Sequence, residues 1–444
     1  MRFNNPYDNI TLVNPTAIEM SNNLSTNGAI PPIGLAYIAA SLRDAGHRIT
    51  VVDAPGEALD RYTPVDSPAG TLFMKGLTPD EIVDRIPMGT EILGIAHMFL
   101  HEWPFIREIA CKAKAKIPDL VVVLGGENAT AFWPYIFKDS DAVDHCVLGE
   151  GEHMVLTLIH HVHFEQPLGE LKGVVSHPHL NGGPSIHQPD HMHEVRSKYY
   201  AKEAASQLPK RIEDVDQISW PAWELFPVEK YLETSDYHGV NRGRSIPMLA
   251  TRGCPYQCTF CSNPAMWSTK YVTRSPKEVV REMKYYVERY RIDNVNFCDL
   301  TAIIKKEWIL EFCGMLKKEK LNITWQLPSG TRSEALDEEV LRQVYETGCR
   351  NITYAPENGS ERVLEAIKKK VRLPKMLESL KAASRASLVT RVNIIIGHPA
   401  ELRSDHWKSI KFLIHCALLG CQDVAVMIFV PYPGSEDTKR LIEQ

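Results

Sequence analysis

Three cysteines lie within eight residues of the chain, in the stretch LATRGCPYQCTFCSNP. Cys254 is followed four residues later by Cys258 and then three residues later by Cys261, and the next cysteine is Cys298. Three thiolates do not complete a tetrahedral zinc site, and no histidine lies within a few residues to supply a fourth ligand. A cubane cluster of four irons held by three cysteines keeps one iron open. The spacing therefore indicates a cluster whose open iron can chelate a small molecule and pass one electron to it.

Length and composition restrict the class of protein. The 444 residues exceed what one compact core usually holds, so we expect about two to three domains. The formal net charge of −5 argues against a nucleic-acid-binding protein and favours small or peptidic partners. No run of about 18 apolar residues and no signal peptide is present, which predicts a cytoplasmic protein without a membrane span. Ten cysteines in so long a chain indicate metal or redox chemistry rather than a disulfide framework.

Short β-branched segments alternate with helical stretches in the first part of the chain. NITLVNP, HRITVVD and DLVVVLGGE have the pattern of strands, and IGLAYIAASLRDAG has that of a helix. This alternation predicts an α/β, doubly wound (Rossmann-like) domain with a parallel sheet, which we assign to residues 8–165. Such sheets bind ligands at the carboxyl ends of their strands, where four loops are expected to meet: residues 14–15, 97–101, 125–128 and 149–152.

Six apolar strand candidates follow from Ile246 onward: IPMLATRG, DNVNFCD, NITWQLPS, NITYAPEN, RVNIIIGHP and DVAVMIFVP. Helical stretches lie between them, which predicts a partial (β/α)6 barrel of the TIM type over residues 241–444. The three cysteines then follow the first barrel strand, at the end where such barrels carry their chemistry. Residues 166–240 are rich in Pro, His and Gly and are expected to form an irregular connector. The final stretch, SEDTKRLIEQ, has no cap residue or glycine, which indicates a chain that ends early.

The cysteine loop CPYQCTFC is similar to the CxxxCxxC loop of the radical S-adenosylmethionine enzymes, with an aromatic residue, Phe260, before the last cysteine. In that family a reduced 4Fe-4S cluster cleaves S-adenosylmethionine to methionine and a 5′-deoxyadenosyl radical, which abstracts hydrogen from unreactive carbon. The barrel segments LPSGTRSEALDEEVL, NITYAPENGSERVLEAIKKKV, VNIIIGHPAE and VPYPGSE extend the resemblance. The resemblance implies that S-adenosylmethionine is bound by Phe260, Arg332, Glu357, Ser360, Asn393 and Gly397.

Two barrel residues have alternative roles. Arg332 suits the methionine carboxylate, because a guanidinium binds a carboxylate through two parallel hydrogen bonds, but a surface ion pair with Glu334 or Asp337 is also open. Asp299 ends the second barrel strand, where it either contacts a cofactor or caps the next helix. Five further cysteines fall in apolar segments and are expected to be small core residues: Cys298, Cys313, Cys349, Cys416 and Cys421.

The first half of the chain resembles the cobalamin-binding domain that precedes the barrel in one large subfamily of these enzymes. The likeness lies in PPIGLAYIAASLRDAGHRITVVDA, VVVLGGENATAFWPYIFKDSDAVDHCVLGEGE and RIEDVDQISWPAWELFPVEKYL. The glycines of these segments suit a close approach of the backbone to a bulky corrin, because a side chain would collide with it. The resemblance implies a cobalamin site formed by Pro15, Gly34, His97, Gly125, Gly126, Glu127, Asn128, Gly149, Glu150 and Gly151.

Two departures from the cobalamin pattern concern the ligation of cobalt. The AspxHisxxGly pattern by which other cobalamin proteins supply a histidine is absent, since SDYHGVN has a different spacing. Asn128 follows the glycine pair where the subfamily has a histidine. Cobalt would therefore lack a histidine ligand, or else the domain has lost cobalamin. His97, His101 and His398 are expected to be hydrogen-bonded polar residues rather than ligands.

The resemblance implies a cobalamin-dependent enzyme that methylates an unactivated carbon of a small-molecule or peptide substrate. S-adenosylmethionine would serve twice, as the radical source and as the donor that regenerates methylcobalamin, and an external electron donor such as flavodoxin or ferredoxin would reduce the cluster. Corrin and cluster must then face one cavity, so the carboxyl ends of sheet and barrel must point at each other.

Four alternative functions remain open at this point. They are a cobalamin-dependent radical cyclase or ring-rearranging enzyme, a radical enzyme whose first domain no longer binds cobalamin, a methylthiotransferase for transfer RNA, and a binding protein with a structural iron centre. The methylthiotransferase is disfavoured, because the first half lacks extra cluster cysteines and no basic RNA-binding tail follows.

Overall fold

The computed structural model describes residues 8–20, 30–67, 70–164, 166, 168, 171–181, 208–234 and 239–443. These residues form two six-stranded sheets, a three-stranded antiparallel sheet and a two-stranded ribbon. Within them, no helix combines the length and the apolar composition needed to cross a membrane.

The first large sheet occupies the N-terminal half of the chain. Numbered along the chain, its strands are β1 (Asn9–Asn14), β3 (Arg48–Asp53), β6 (Ile92–Ala96), β7 (Val121–Gly125), β8 (His145–Val147) and β9 (Val174–Ser176), in the order β3-β1-β6-β7-β8-β9. All neighbours are parallel except β8 and β9. Because β1 lies between β3 and β6, the strand order reverses there, and doubly wound sheets bind ligands at the carboxyl end of such a point. The helices of this half are α1 (Ile33–Asp44), α2 (Ala54–Glu57), α3 (Pro79–Arg85), α4 (Trp103–Lys116), α5 (Glu127–Asp139) and α6 (Gly151–His163).

A small antiparallel sheet is inserted into this pattern. Its strands are β2 (Ala17–Met20), β5 (Gly70–Lys75) and β4 (Tyr62–Ser67), in the order β2-β5-β4. Exposed and half-buried residues alternate along β4, as expected of a strand with one face in solvent. The residue pattern of the sequence predicts none of these three strands.

The second large sheet contains the six predicted barrel strands. They are β10 (Ser245–Met248), β13 (Asn294–Phe297), β14 (Thr324–Thr331), β15 (Cys349–Glu357), β16 (Val389–Ile396) and β17 (Asp423–Ile428), all parallel and in this spatial order. The outer strands β10 and β17 are not paired with each other in the described part of the chain. The short strands β11 (Thr251–Arg252) and β12 (Val272–Thr273) form the antiparallel ribbon.

The helices of the second half are α8 (Asn263–Trp267), α9 (Pro276–Tyr290), α10 (Lys306–Glu319), α11 (Glu338–Glu346), α12 (Glu361–Ala366), α13 (Leu373–Arg385), α14 (Arg403–Leu418) and α15 (Glu436–Glu443). Helix α9 illustrates how the sequence forms them. The Ser275 side chain caps it by accepting a hydrogen bond from the Glu278 backbone. Val279, Met283 and Tyr286 are buried at spacings of four and three residues, so one face of α9 packs on the sheet.

The predicted connector is partly ordered into regular structure. Strand β9 and the short helix α7 (Val228–Glu233) both fall within residues 166–240. Trp223 is fully buried in a hydrophobic cluster that includes residues of both large sheets, so the connector packs the two halves together. Most of HPHLNGGPSIHQPDHMH and the first four residues of SDYHGVN lie outside the described residues.

Candidate functional site

The three cysteines lie on the loop between β11 and α8. Gly253 begins this loop with φ of +80°, and a Cβ there would lie 2.3 Å from the carbonyl oxygen of Lys270, so only glycine fits. The backbone N–H of Cys261 donates to the carbonyl of Cys258 at 3.1 Å, which closes the turn between the two residues. All three thiols are free and half-buried.

Burial in this cysteine loop favours protonated thiols in the absence of a metal ion. Burial raises the pKa of Cys258 and raises that of Cys261 to about 12, so the polypeptide alone keeps both sulfurs protonated near neutral pH. Coordination reverses this, because a bound metal ion removes the thiol proton. Among the described residues, no three His, Cys, Asp or Glu side chains converge on one metal position. A 4Fe-4S cubane would bind the three cysteines through three separate irons.

Arg332 lies beside the cysteine loop rather than on the surface. It is 8% exposed, and its guanidinium carbon lies 3.8 Å from the ring centroid of Tyr256, which is part of that loop. It also donates a hydrogen bond to the carbonyl of Lys370. Asp337, one of the surface partners considered from the sequence, pairs instead with Lys306 at 2.7 Å. The surface pairing with Asp337 is therefore wrong, and a buried guanidinium next to the cysteines suits a carboxylate ligand.

Glu357 is the last residue of β15, and Ser360 is the N-cap of α12, three residues later. The two side chains differ in whether they are available to bind a ligand. Glu357 has φ of 70°, an unusual conformation for a residue other than glycine, and its carboxylate accepts a hydrogen bond from Lys369 at 2.9 Å. Strained backbone of this kind is frequent at ligand sites. The hydroxyl of Ser360 is fully buried and donates to Asp405 at 2.6 Å, so it is already used within the protein.

The other predicted contacts with S-adenosylmethionine lie near β16 and on the cysteine loop. The Oδ1 atom of Asn393 is buried and has no hydrogen-bond partner among the described residues, which leaves an acceptor for a ligand. Gly397 has φ of +82°, and no atom lies within 4 Å of the place a Cβ would take. Phe260 packs against the main hydrophobic cluster. As ligand contacts, these three residues stay predictions.

Asp299 anchors the base of the cysteine loop. It is buried and accepts hydrogen bonds from the backbone N–H of Ala250 at 3.0 Å and from the hydroxyl of Thr251 at 2.6 Å. Burial raises its pKa to about 6. The next helix, α10, has Lys305 at its N-cap and no side-chain cap. The alternative role of Asp299 as a helix cap is therefore wrong, and its carboxylate instead ties the end of β13 to the start of β11.

A second anchor reaches the cysteine loop from the C-terminal helix. Thr259, which lies between the last two cysteines, donates its hydroxyl proton to Asp437 at 2.7 Å, and the backbone N–H of Asp437 donates to the Thr259 carbonyl at 2.9 Å. His398 Nε2 lies 2.9 Å from the same carboxylate, while its Nδ1 accepts from the N–H of Ala400. His398 is thus a hydrogen-bonded polar residue, as expected, and the loop, the end of β16 and α15 form one hydrogen-bonded unit.

The carboxyl edge of the first sheet carries the residues predicted to bind cobalamin. His97 is fully buried, its Nε2 lies 2.8 Å from the side-chain nitrogen of Asn128, and burial lowers its pKa to about 3. Gly126 has φ of +114°, and a Cβ there would lie 2.7 Å from the carbonyl oxygen of His97. At Gly151 a Cβ would lie 2.8 Å from the side chain of Ile38. Gly126 therefore has no room for a side chain within the protein itself, whereas at Gly151 only the tip of the Ile38 side chain would have to move. As contacts with a corrin, both glycines stay predictions.

Other positions at this edge leave room for a ligand. A Cβ on Gly125 would meet no atom closer than 3.9 Å, and one on Gly34 would meet none within 4 Å. After β6 and the buried His97, the side chains of Met98, Phe99 and Leu100 are 45%, 48% and 43% exposed. Three large apolar side chains exposed in a row at the carboxyl end of a strand suit a broad, partly apolar ligand.

Buried ion pairs connect this edge to the cysteine loop. Glu150 accepts hydrogen bonds from Arg252 at 3.2 Å and from Arg211 at 2.6 Å, and Glu152 accepts from Arg252 at 2.6 Å. None of these four side chains is more than 10% exposed. Arg252 is the last residue of β11, so the network joins the end of β8 to the base of the cysteine loop.

A second contact between the two halves lies at the other end of the cysteine loop. Glu127, directly after the glycine pair, accepts a hydrogen bond from Ser262, the residue after the last cysteine. Gly149 has φ of +66°, and a Cβ there would lie 3.5 Å from the carbonyl oxygen of Met266 in α8. Pro15, at the end of β1, is buried. The carboxyl edges of the two large sheets therefore face each other.

Comparison with known proteins agrees with this arrangement. Residues 248–413 match the family model of the radical SAM superfamily, and residues 22–159 match that of the B12 binding domain. The chain carries a B12-binding domain followed by a radical SAM domain. It is 29% identical over 410 residues to the cytidylyl-2-hydroxyethylphosphonate methyltransferase of Streptomyces wedmorensis, and the alignment covers 88% of this chain and 73% of that relative.

Two further comparisons match this chain, one with a curated relative and one with a solved structure. The chain is 26% identical over 372 residues to the anaerobic magnesium-protoporphyrin IX monomethyl ester cyclase of Rubrivivax gelatinosus, and the alignment covers 83% of this chain and 59% of that relative. The solved structure is that of the radical S-adenosylmethionine methyltransferase TsrM from Kitasatospora setae, with cobalamin and a [4Fe-4S] cluster bound. It aligns with this chain with a TM-score of 0.67 at 17% sequence identity, and the alignment covers 96% of this chain and 73% of that one. The predicted fold class, a Rossmann-like domain followed by a partial barrel, is confirmed.

The two domain types imply a 4Fe-4S cluster, S-adenosylmethionine and cobalamin as cofactors, as predicted. The chain fits these groups, since it offers three free thiols on one loop and an open, apolar edge opposite that loop.

Sequence reasoning missed several residues that shape this site. Tyr256 could have been found, because it is an aromatic residue inside the cysteine motif itself. No such local signal marks three other residues, because only the tertiary fold brings their partners to them. These pairs are Lys369 with Glu357, Asp437 with Thr259, and Arg252 with Glu152.

Proposed function

We propose that this protein is a cobalamin-dependent radical S-adenosylmethionine methyltransferase that methylates an unactivated carbon of a small-molecule or peptide substrate. The observation that carries the proposal is the direct contact between the cysteine loop and the glycine turns of the first sheet, through Glu127 and Ser262 and through Arg252 with Glu150 and Glu152. A methyl group carried by a corrin has to reach the same carbon that loses hydrogen, so both cofactors must border one cavity. The similarity to a methyltransferase over most of the chain supports the same reaction class.

The chain's own residues bind and orient the reactants in this proposal. The three cysteines hold three irons, and the buried guanidinium of Arg332 pairs with the methionine carboxylate. The free acceptor of Asn393 receives a hydrogen bond from the nucleoside, and Glu357, held by Lys369, borders the same pocket. When bound, the cluster supplies the electron that cleaves S-adenosylmethionine, and the cobalamin supplies the methyl group. That electron comes from an external donor such as flavodoxin or ferredoxin.

Isotope transfer from labelled S-adenosylmethionine tests this function. The protein is reconstituted anaerobically with iron, sulfide and hydroxocobalamin and is then supplied with methyl-labelled S-adenosylmethionine, a reductant and a cytidylylated 2-hydroxyethylphosphonate as the first substrate probe. We expect bound corrin in the absorption spectrum, 5′-deoxyadenosine, and label in the product, and we expect none of the last two from Cys258→Ala. A protein that retains no corrin would refute the proposal.

A cobalamin-dependent radical cyclase is the second candidate, favoured by the similarity to the Rubrivivax gelatinosus cyclase. The same experiment separates the two reactions, because a cyclase forms 5′-deoxyadenosine without transferring the labelled methyl group to its product.

A further inference from the structure

The last strand of the barrel sheet has a free edge. β17 pairs with β16 on one side, and none of the described residues pairs with its other side. The register with β16 is unbroken, so β17 contains no bulge. The strand also contains no lysine and no proline, and Asp423 at its start is its only charged residue. Natural edge strands usually carry a charge, a proline or a bulge that prevents pairing with another chain, and β17 lacks these devices beyond its first residue.

The outward face of β17 is apolar and exposed. Val424 and Val426 are the register partners of Val392 and Ile394, which are buried in the main hydrophobic cluster beneath the helices. Register partners lie on the same face of a sheet, so these valines and Ile428 point to the helix side of the barrel. They are nevertheless 37%, 51% and 76% exposed. The described helices therefore leave this face of β17 open.

Helix α14, which connects β16 to β17, continues the apolar surface. One stripe of this helix is buried against the barrel. A second stripe, at spacings of three and four residues, is exposed: Trp407, Ile410, Ile414 and Leu418. Lys408, on another side of α14, lies 3.4 Å from the Ser360 hydroxyl at the start of α12, so the apolar stripe faces β17 and the solvent. We call this stripe, together with Val424, Val426 and Ile428, the apolar face.

The apolar face is large enough for a stable protein interface. Its seven side chains expose roughly 700 Å² together, more than the roughly 300–600 Å² of the largest apolar patch on a typical monomer. Each partner in an interface of standard size contributes about 800 Å². The unpaired N–H and C=O groups along β17 add directional hydrogen bonds to this apolar contact.

Two copies of the chain are complementary at this face. Antiparallel pairing about a two-fold axis at Val426 places Val424 of one copy opposite Ile428 of the partner subunit, with all these side chains outward. Each α14 then lies over its own strand pair. Because strands are about 4.8 Å apart, the two helices are separated by roughly 10 Å, which is the distance at which helices pack. The pairing covers the free edge in both copies and stops at two.

We propose that the apolar face is a dimer interface and that a second copy of this chain occupies it. The inference goes beyond the proposed function, since it depends on the surface and not on the reaction. It also bears on the site, because β17 leads directly to α15. There Asp437 holds Thr259 of the cysteine loop at 2.7 Å. Pairing of β17 thus supports the strand from which this anchor of the loop extends.

Sedimentation equilibrium of the full chain tests the interface. We expect a dimer at micromolar concentrations and no larger species. Val426→Lys should weaken the dimer by about a hundredfold or more, because the two-fold axis brings the two lysines together. Val426 is half exposed in the single chain, so the substitution preserves the fold. Met88→Lys is the matched control, since it changes another exposed apolar residue, and its dimer Kd should stay within about twofold of the wild type.

These results can also refute the interface. A wild-type protein that sediments as a monomer would overturn the proposal, and so would a dimer that Val426→Lys leaves unchanged. Amide hydrogen exchange gives a second measurement. The free edge of β17 should be protected in the wild type and unprotected in Val426→Lys. Protection that persists in a monomer would show that a segment of the same chain covers the face, which also overturns the proposal.

A cysteine placed at the axis tests the register of the pairing. Directly opposed residues of antiparallel strands have Cα atoms about 4.5–5.5 Å apart, within the range of a disulfide. Mild oxidation of Val426→Cys should therefore give a covalent dimer whose linked peptide contains position 426 of both copies. Met88→Cys should give no such dimer through position 88. Absence of a link at position 426 would overturn the proposed pairing, and none of these measurements depends on the radical reaction.

Discussion

Replacing Arg252 with methionine removes the cation that connects the two halves of the protein. Arg252 pairs with Glu150 at 3.2 Å and Glu152 at 2.6 Å, and its guanidinium carbon lies 4.9 Å from the ring centroid of Tyr37. Both carboxylates and the guanidinium are at most 7% exposed. Methionine keeps much of the apolar stem but leaves Glu152 buried without its ion pair.

The expected loss is large because the charges are buried. Removing one partner of a buried ion pair costs about 3–5 kcal/mol in the free energy of unfolding. Glu150 retains Arg211 at 2.6 Å, so the loss falls mainly on Glu152, and we expect about 3 kcal/mol.

The effect also has a defined dependence on pH. Burial alone would raise the pKa of Glu152, but Arg252 outweighs burial and holds the pKa below its ordinary value of 4.5. The stabilisation by this ion pair is therefore fully present above pH 4.5 and is lost as the pH falls through the lower folded-state pKa. The difference between the Arg252→Met variant and the wild type should follow the same course.

Urea unfolding of the reduced apoprotein, followed by circular dichroism and tryptophan fluorescence, measures the loss. Lys317→Met is the control, since it breaks an exposed pair with Glu346 and should cost less than about 1 kcal/mol. Adding Glu152→Gln to Arg252→Met should recover part of the stability, because no unpaired charge then stays buried. The reasoning is refuted if Arg252→Met costs no more than the control, or if the second substitution recovers nothing.

Three further substitutions test the site and its supports. Cys258→Ala should prevent uptake of iron and sulfide on anaerobic reconstitution, whereas Cys349→Ala in the core should not. Equal iron contents in the two variants would contradict the cluster assignment. Thr259→Val removes a hydrogen bond to the buried Asp437 carboxylate and should lower the free energy of unfolding in urea by about 1.5–3 kcal/mol. Thr259→Ser should stay near the wild type. Equal losses in the two variants would show that the hydroxyl is not the cause. Asp53→Asn should flatten the pH dependence of stability. Burial raises the pKa of Asp53 from 3.8 to about 6, so the stability due to its protonated form is lost as the pH rises through that range. Urea midpoints at pH 4.5 and 7 check this, and an unchanged difference between them would rule it out.

The alternation of strands and helices could be read from the sequence because parallel strands are buried on both faces. Such strands appear as short β-branched runs, and this pattern predicted all six barrel strands. It also predicted β17, although the residues of that outer strand are mostly exposed. The small antiparallel sheet was missed because its strands lack this pattern. In particular, β4 contains Pro64, which argues against a strand in general but is tolerated here because β4 lies at the edge of its sheet.

The residues of the candidate site also differ in whether they could be predicted from the sequence. Some are marked by their immediate neighbours, and others depend on contacts between distant parts of the chain. The three cysteines are close in sequence, so their spacing alone predicted the type of metal centre. The supports of their loop come from far along the chain: Arg252 and Glu152 are separated by 100 residues, and Thr259 and Asp437 by 178. No periodicity or spacing in the sequence encodes such pairs, because they depend on how two sheets are placed against each other.

The glycine turns of the first sheet combine close packing with contacts to the cysteine loop. At Gly126 the φ of +114° and the nearby carbonyl of His97 leave no room for a side chain. The acids beside them, Glu127 and Glu150, hold the two ends of the cysteine loop. The same turns that border the open edge near Met98 therefore also fix the cysteine loop opposite it. The same residues border the space for a ligand and form the contact between the two halves of the protein. The interface therefore helps the connector to hold the two sheets in the arrangement that radical methylation requires.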